Sequence, residues 1–208
     1  MMFDERRFDS ALRAKFITDC LIYKNSKKMA KIVYKDGCDG RNRLECIEGI
    51  EIEMLNGQRA LIYPKYSDEA LLEIEDRSKW KASGVTEIEA LRLKGNTEAT
   101  SALVEAGSPA AKFVRGFSSE RLGKFGLPTL LAAMEITAQK RDIDRLVKAI
   151  DGADLLKDYS SYVWCCSRCS QNNGWVASGN NGYAGGNYLS NRSVAVPLVL
   201  LDVAGGAA

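Results

Sequence analysis

Residues 159–203 read Y-S-S-Y-V-W-C-C-S-R-C-S-Q-N-N-G-W-V-A-S-G-N-N-G-Y-A-G-G-N-Y-L-S-N-R-S-V-A-V-P-L-V-L-L-D-V, and their reading decides the fold. The apolar anchors are Val163, Trp164, Trp175, Val176 and the run Val194 to Leu201. Between them stand Asn, Gly, Ser and Tyr, with hardly any charge. Of 29 Lys+Arg and 27 Asp+Glu in the chain, only Arg168, Arg192 and Asp202 fall after residue 158. Disordered segments favour high net charge and few aromatics. Two Trp, four Tyr and a β-branched terminal run point instead to short strands joined by long polar loops. Tyr, Ser, Gly and Asn also give contact area and adaptable hydrogen bonds at low entropic cost, so the composition suits a binding surface on a scaffold. A Gly/Asn-rich structural β-region is the plainer alternative.

Working outward, the 208-residue chain suits one domain, or one domain with an appendage, and can bury a substantial core. A formal net charge of +2 gives no reason to expect a nucleic-acid partner. The basic stretch Lys24–Lys31 reads as a solvated helix end. The opening M-M-F-D-E-R-R-F lacks the apolar core of a signal peptide, and no run approaches a membrane span. The chain is therefore expected to be made in a cytoplasm, without membrane insertion.

Six cysteines (20, 38, 46, 165, 166 and 169) in such a chain are expected to be free thiols. Cys166-Ser-Arg-Cys169 has the C-x-x-C form of zinc or redox sites. No second C-x-x-C exists, the chain has no histidine, and a closed zinc site would need Cys38 or Cys46 to join. Ser-His-Asp and Cys-His catalysis are excluded with the histidines, and with them the commonest general base. No catalytic residue, metal ligand or cofactor is expected.

Phe8, Leu12 and Phe16, with Ile17 or Cys20, form a helical stripe within Phe3 to Tyr23. Residues 1–30 thus make an N-terminal helical segment, packing on its own core or pairing copies into a homo-oligomer. Ile32 to Tyr34 reads as a strand ending at the turn Asp36-Gly37. Ile50, Ile52 and Met54 alternate with Glu51 and Glu53; Asn56-Gly57 then closes a tight hairpin, and Arg59 to Tyr63 returns. Glu48, Glu51, Glu53, Asp36 and Asp39 resemble a calcium cluster but read as a solvent face. Glu69 to Leu93 is charged and irregular, with Trp80 a buried aromatic. Thr97 is a candidate N-cap for a helix that Gly107 stops. Ser108-Pro109 starts another. Leu127-Pro128-Thr129 opens a third, carrying Leu130, Leu131, Met134 and Ile136 or Thr137. A fourth, Arg141 to Ile150, carries Ile143, Leu146, Val147 and Ile150 before Gly152.

The order N-T-E-A-x-x-A-L (96–103), S-P-A-A-x-x-x-R-x-F (108–117), L-P-T (127–129), Trp164, Q-N-N-G-W (171–175), N-N-G-Y (180–183) and V-x-V-P (194–197) resembles one family. It is similar to the C-type-lectin-fold variable proteins of diversity-generating retroelements and their phage and bacterial surface relatives. The resemblance implies an α+β C-type-lectin domain over 31–203, a variable ligand-binding region over about 159–197, and a tail at 204–208. In that family adenine-directed mutagenesis turns AAY codons into NNY, which never encodes Lys, Glu, Gln, Met or Trp. From Trp164 to Pro197 only Trp164, Gln171 and Trp175 fall outside that set. Cys165, Cys166 and Cys169 then need no chemistry.

The resemblance implies a non-enzymatic protein on a virion (a phage tail) or cell surface, binding a protein or glycan receptor on another cell. Ser167, Arg168, Cys169, Asn172, Asn173, Ser178, Asn180, Tyr183, Gly185, Asn187, Tyr188 and Arg192 would touch the partner. Trp164 and Trp175 would lie in the core beneath them. Two alternatives stand beside this: a cysteine oxidase like the formylglycine-generating enzyme, which shares the fold, and a purely structural virion subunit. Calcium-dependent sugar binding is disfavoured, since no E-P-N or Q-P-D tripeptide occurs.

Overall fold

A computed structural model describes residues 30–38, 40–65, 71–72, 86–92, 95–153, 162–170, 172–178 and 183–201. The expected N-terminal helix, Asp39, Trp80, Asn180 and the tail lie outside the described residues. In chain order the first part holds β1 (Lys31–Tyr34), a 3-10 turn (Leu44–Cys46), β2 (Ile47–Glu53), β3 (Arg59–Ile62) and β4 (Leu71–Leu72). Helices α1 (Glu87–Arg92), α2 (Thr97–Glu105) and α3 (Pro109–Arg115) follow, then β5 (Ser118–Ser119) and β6 (Gly123–Lys124). The last part is α4 (Leu130–Ala138), α5 (Lys140–Lys148), β7 (Tyr162–Arg168), β8 (Asn173–Ser178), β9 (Ala184–Tyr188), β10 (Ser193–Val194) and β11 (Leu198–Leu201). The architecture is α+β. One sheet runs β1-β2-β3-β11, a second runs β4-β10-β7-β8-β9, and β5 and β6 form a ribbon.

The β2–β3 hairpin forms as its alternation requires, with Ile50 opposite Ile62 and Glu53 opposite Arg59. Its turn is wider than a two-residue Asn-Gly loop. The Met54 N–H donates to the Gln58 carbonyl at 2.8 Å and the Gly57 N–H to the Met54 carbonyl at 2.9 Å. Gly57 has φ of 79°. A turn followed by one left-handed residue is the three-residue hairpin connection, and glycine takes that conformation without a Cβ penalty. The loop is also held from outside: the Leu55 N–H donates to Glu135 Oε1 at 2.9 Å. Glu135 is itself buried on α4 and its Oε2 accepts from Gln139 Nε2 at 3.1 Å. A buried carboxylate persists only when so bonded.

The acidic residues of this sheet do not all face solvent as expected. Glu48 is buried and accepts a hydrogen bond from Ser119 Oγ. Glu51 pairs with Lys31 and Arg59, each at 3.3 Å. No group of three or more metal-ligating side chains occurs among the described residues.

Helix ends follow local chemistry, with one exchange of roles. Ser108 caps α3 by accepting from the Ala111 N–H at 3.3 Å, with Pro109 at the first helical position. Thr129 caps α4 through the Ala132 N–H at 3.2 Å. Thr97, expected to cap α2, is its first helical residue, and Asn96 occupies the cap position without a side-chain cap bond. The Asn96 amide is used elsewhere: Nδ2 donates to the carbonyls of Leu127 at 2.9 Å and Leu198 at 3.0 Å. Thr100 Oγ1 accepts from the Leu127 N–H at 3.0 Å. One turn of helix thereby clamps the approach to α4 onto the start of β11.

The largest core cluster joins Ile47, Ile50, Ile52 and Ile62 of the first sheet to Leu130, Ala133 and Ile136 of α4 and Ile143 and Val147 of α5. It continues into Val163, Cys165, Trp175 and Ala177 of the second sheet. A second cluster packs Leu103, Ala110, Ala111 and Val114 of α2 and α3 against Trp164, Cys166 and Val176. Because Trp164 lies opposite Val176 in register, Trp175 projects from the other face. Strands β7 and β8 are therefore covered on both sides, and Val163 to Arg168 is buried without a break. Both tryptophans lie in the core, under opposite faces rather than one.

Candidate functional site

The residues singled out in the sequence gather on β7, β8, β9 and their connections. β9 is the edge of its sheet. Pairing places Tyr162 opposite Ser178, whose N–H donates to the Tyr183 carbonyl at 2.7 Å. At the far end Arg168 lies opposite Gly174, and Asn173 opposite Tyr188. Five residue steps separate Tyr183 from Tyr188, roughly 16 Å along an extended strand. The candidates thus occupy two ends of the sheet rather than one patch.

The end carrying Arg168 and Tyr188 is the more built. Between Trp164 and Arg168 the register with β8 shifts by two residues, a bulge in β7. The Cys166 N–H, turned away from β8, donates to the Pro128 carbonyl at 2.7 Å. Bulges bend a strand and re-aim its side chains. Beyond this bulge, residues 169–173 fold back on one acceptor: the Asn173 carbonyl takes the N–H groups of Cys169 at 3.1 Å and Ser170 at 3.2 Å, and the Cys169 thiol at 3.5 Å. The Leu189 N–H donates to the Asn172 carbonyl at 3.0 Å, fastening the 188–192 turn beside this loop. Asn187 organises that turn: its Nδ2 donates to Ser193 Oγ at 3.0 Å, while its Oδ1 accepts from the Tyr188 N–H at 3.0 Å and Asn191 Nδ2 at 2.7 Å.

Four expected contact residues point inward. Ser167, Arg168 and Ser178 are buried, Arg168 to 4 % exposure. Gly185 is buried as well. The Arg168 guanidinium donates through Nε to the Ser170 carbonyl at 3.1 Å, so the side chain braces the loop from beneath. Gly185 lies under the Tyr183 ring: a Cβ there would fall 2.2 Å from Tyr183 Oη. A side chain at 185 would have to displace the Tyr183 ring from this seat. Cys169, Asn173 and Asn187 are half-buried, while Asn172 and Arg192 are exposed. Tyr183 and Tyr188 stand out at 50 % and 57 % exposure.

Four surface positions of this end escaped the sequence reading. Ser170 is half-buried, and Gly186, Ser190 and Asn191 are exposed among the expected contacts. Asn191 sits in the S-N-R turn, and its amide chemistry was the available signal. Gly186 lacks a side chain to advertise itself; a Cβ there would meet Cys169 Sγ at 2.7 Å.

The cysteines lie poorly for thiolate chemistry. Burial pushes the Cys166 thiol up to about 12 from an ordinary 9.0. Burial raises Cys165 well above its ordinary value too, with the neighbouring Cys166 and Cys169 adding to the rise. Cys169 is raised by burial, and Arg168 partly offsets this. A thiol held protonated is a poor nucleophile and a poor metal ligand.

No family model, no curated protein and no solved structure matches the chain. Among the described residues no helix is long and apolar enough to cross a membrane.

Proposed function

We propose that the protein is a non-enzymatic ligand-binding protein of the C-type-lectin-fold variable class, whose segment 159–197 is diversified by a retroelement. Its partner is a protein or glycan receptor on another cell, met from a phage tail or a cell surface; neither nucleic acid nor a bilayer is its target. The single observation that carries this reading is the contrast at the end of the second sheet. Asn172, Tyr188, Asn191 and Arg192 project from turns fastened by main-chain bonds to a sheet whose strands β7 and β8 are buried on both faces. Such an arrangement supports change at the tips, because exposed side chains away from caps and cores usually alter stability by within about 0.5 kcal/mol. Tyr and Arg are also the residues that dominate binding energy. The raised thiol values of Cys165 and Cys166 count against the cysteine-oxidase alternative.

The DNA around the gene tests the proposal. A neighbouring reverse transcriptase, with a near-copy of the codons for 159–197 that differs at adenines, is the expected finding. A gene copy number of many genomes in which this segment never varies, with no such template, overturns it.

A further inference from the structure

Outside the second sheet, two cysteines meet across the connection from β1 to β2. Cys38 is the strongest influence on the Cys46 thiol, which is raised above its ordinary value. The main chain holds them there through one residue: the Lys35 N–H donates to the Cys46 carbonyl at 3.0 Å, and the Cys38 N–H donates to the Lys35 carbonyl at 3.1 Å. Cys46 is 6 % exposed at the end of the 3-10 turn, whereas Cys38 is half-buried and reachable from solvent. Burial and Glu45 add to that rise, and Arg41 only partly offsets it. The other described cysteines are differently placed: Cys165 and Cys166 are buried in the two core clusters, and Cys169 donates to the Asn173 carbonyl.

We propose that Cys38 and Cys46 are a disulfide site that closes when the protein meets a low-molecular-weight disulfide, stapling the turn between β1 and β2. The thiolate of the accessible Cys38 attacks one sulfur of the oxidant, forming a mixed disulfide and releasing one equivalent of thiolate, which takes up a proton. The Cys46 thiolate then attacks the Cys38 sulfur, forming the protein disulfide and releasing the second thiol. Two protein thiols are oxidised and one disulfide is reduced to two thiols. The staple restrains the unfolded chain over a short loop and so raises stability. This inference does not depend on what the second sheet binds.

The test uses the full chain, reduced, desalted and incubated with oxidised glutathione, then capped with N-ethylmaleimide and digested with trypsin. Cleavage after Lys35, Arg41 and Arg43 leaves the two cysteines on separate peptides, 36–41 and 44–59. These peptides are expected as one linked species, with Cys165 and Cys166 still free. The melting temperature should rise by roughly 5 °C, and Cys38→Ser should show neither the link nor the rise. Recovery of 36–41 and 44–59 as separately capped or glutathione-bearing peptides overturns the proposal. So does a link through Cys165 or Cys166 in place of this pair. A Cys38–Cys46 link that leaves the melting temperature unchanged or lower overturns the staple.

Discussion

The two large sheets solve the same packing problem with opposite materials. The β1-β2-β3-β11 sheet keeps charge on its strands: Lys31, Glu51 and Arg59 line up across three of them. Strands β7 and β8 of the second sheet are covered on both faces, and from Val163 to Cys166 and from Gly174 to Ser178 they hold only apolar, small or hydroxyl-bearing residues. Its charge is confined to Arg168 and Arg192, at or beyond the strand ends. The face of the first sheet that bears these charges is open only at that end, because farther along it Leu61 and Val199 pack under Phe125. A sheet with two closed faces can vary only at its tips and its edge, and the Tyr, Asn and Arg side chains of this protein stand there.

The largest effect that sharpens this contrast is expected at Trp164. Trp164→Ala empties a fully buried site between β8 and the α2–α3 pair and should cost about 3–5 kcal/mol, read as a lower urea midpoint. A Trp164→Ala protein as stable as the parent would break the comparison. Asn96→Ala comes next. It takes the amide donor from the Leu127 carbonyl, while the Leu198 carbonyl keeps the Gly126 N–H at 2.8 Å, and a buried polar group left unpaired costs about 1–3 kcal/mol. Arg168→Ser is expected in the same range, about 1–3 kcal/mol, since it removes a charged donor from beneath the 169–173 loop. If Arg168→Ser is silent on stability and abolishes binding instead, Arg168 is a contact after all.

The smallest effect belongs to the tips. Tyr188→Ser with Arg192→Ser should leave the unfolding free energy within about 0.5 kcal/mol per site, while removing capture by any receptor-bearing cell that the parent binds. A final measurement uses pH. The folded protein holds the Cys166 proton up to about 12, whereas the same thiol in the unfolded chain titrates near its ordinary 9.0. Stability from this group is complete below pH 9 and is lost as pH rises toward 12. Cys166→Ala should lessen the alkaline fall in melting temperature against pH, leaving the part that belongs to Cys165.

How much of this was legible in the chain depends on whether a residue's role was local. Pro109 and Gly107 announced their helix ends because capping needs only neighbours in sequence; the Ser108 N–H returning to the Leu103 carbonyl at 3.0 Å completes the stop. The Ile50-Ile52-Met54 alternation gave the first hairpin for the same reason. The α+β class was readable from these parts, whereas the finer fold name rests on a resemblance in motif order. Arg168 was misread because charge in a polar stretch signals solvent, and its true partner, the Ser170 carbonyl, exists only once the loop folds over it. Asn96 was missed because its amide bonds carbonyls 31 and 102 positions away in the chain, which no local pattern announces. The two closed faces of β7 erased the period-two pattern that would have separated inward from outward positions, so Ser167 and Ser178 looked like loop residues.

The pairing of Leu198 with Ile62 carries a consequence for synthesis. The strand that completes the first sheet follows the second sheet's strands in the chain, so a ribosome must translate through residues 162–192 before β3 finds its last neighbour. A premature stop or a shifted reading frame anywhere in that stretch removes β11, along with the Leu198 carbonyl that Asn96 grips. Truncated or frame-shifted chains therefore leave the β3 edge of the first sheet unpaired. Closure of the first sheet thus reports on whether the second was translated to its end.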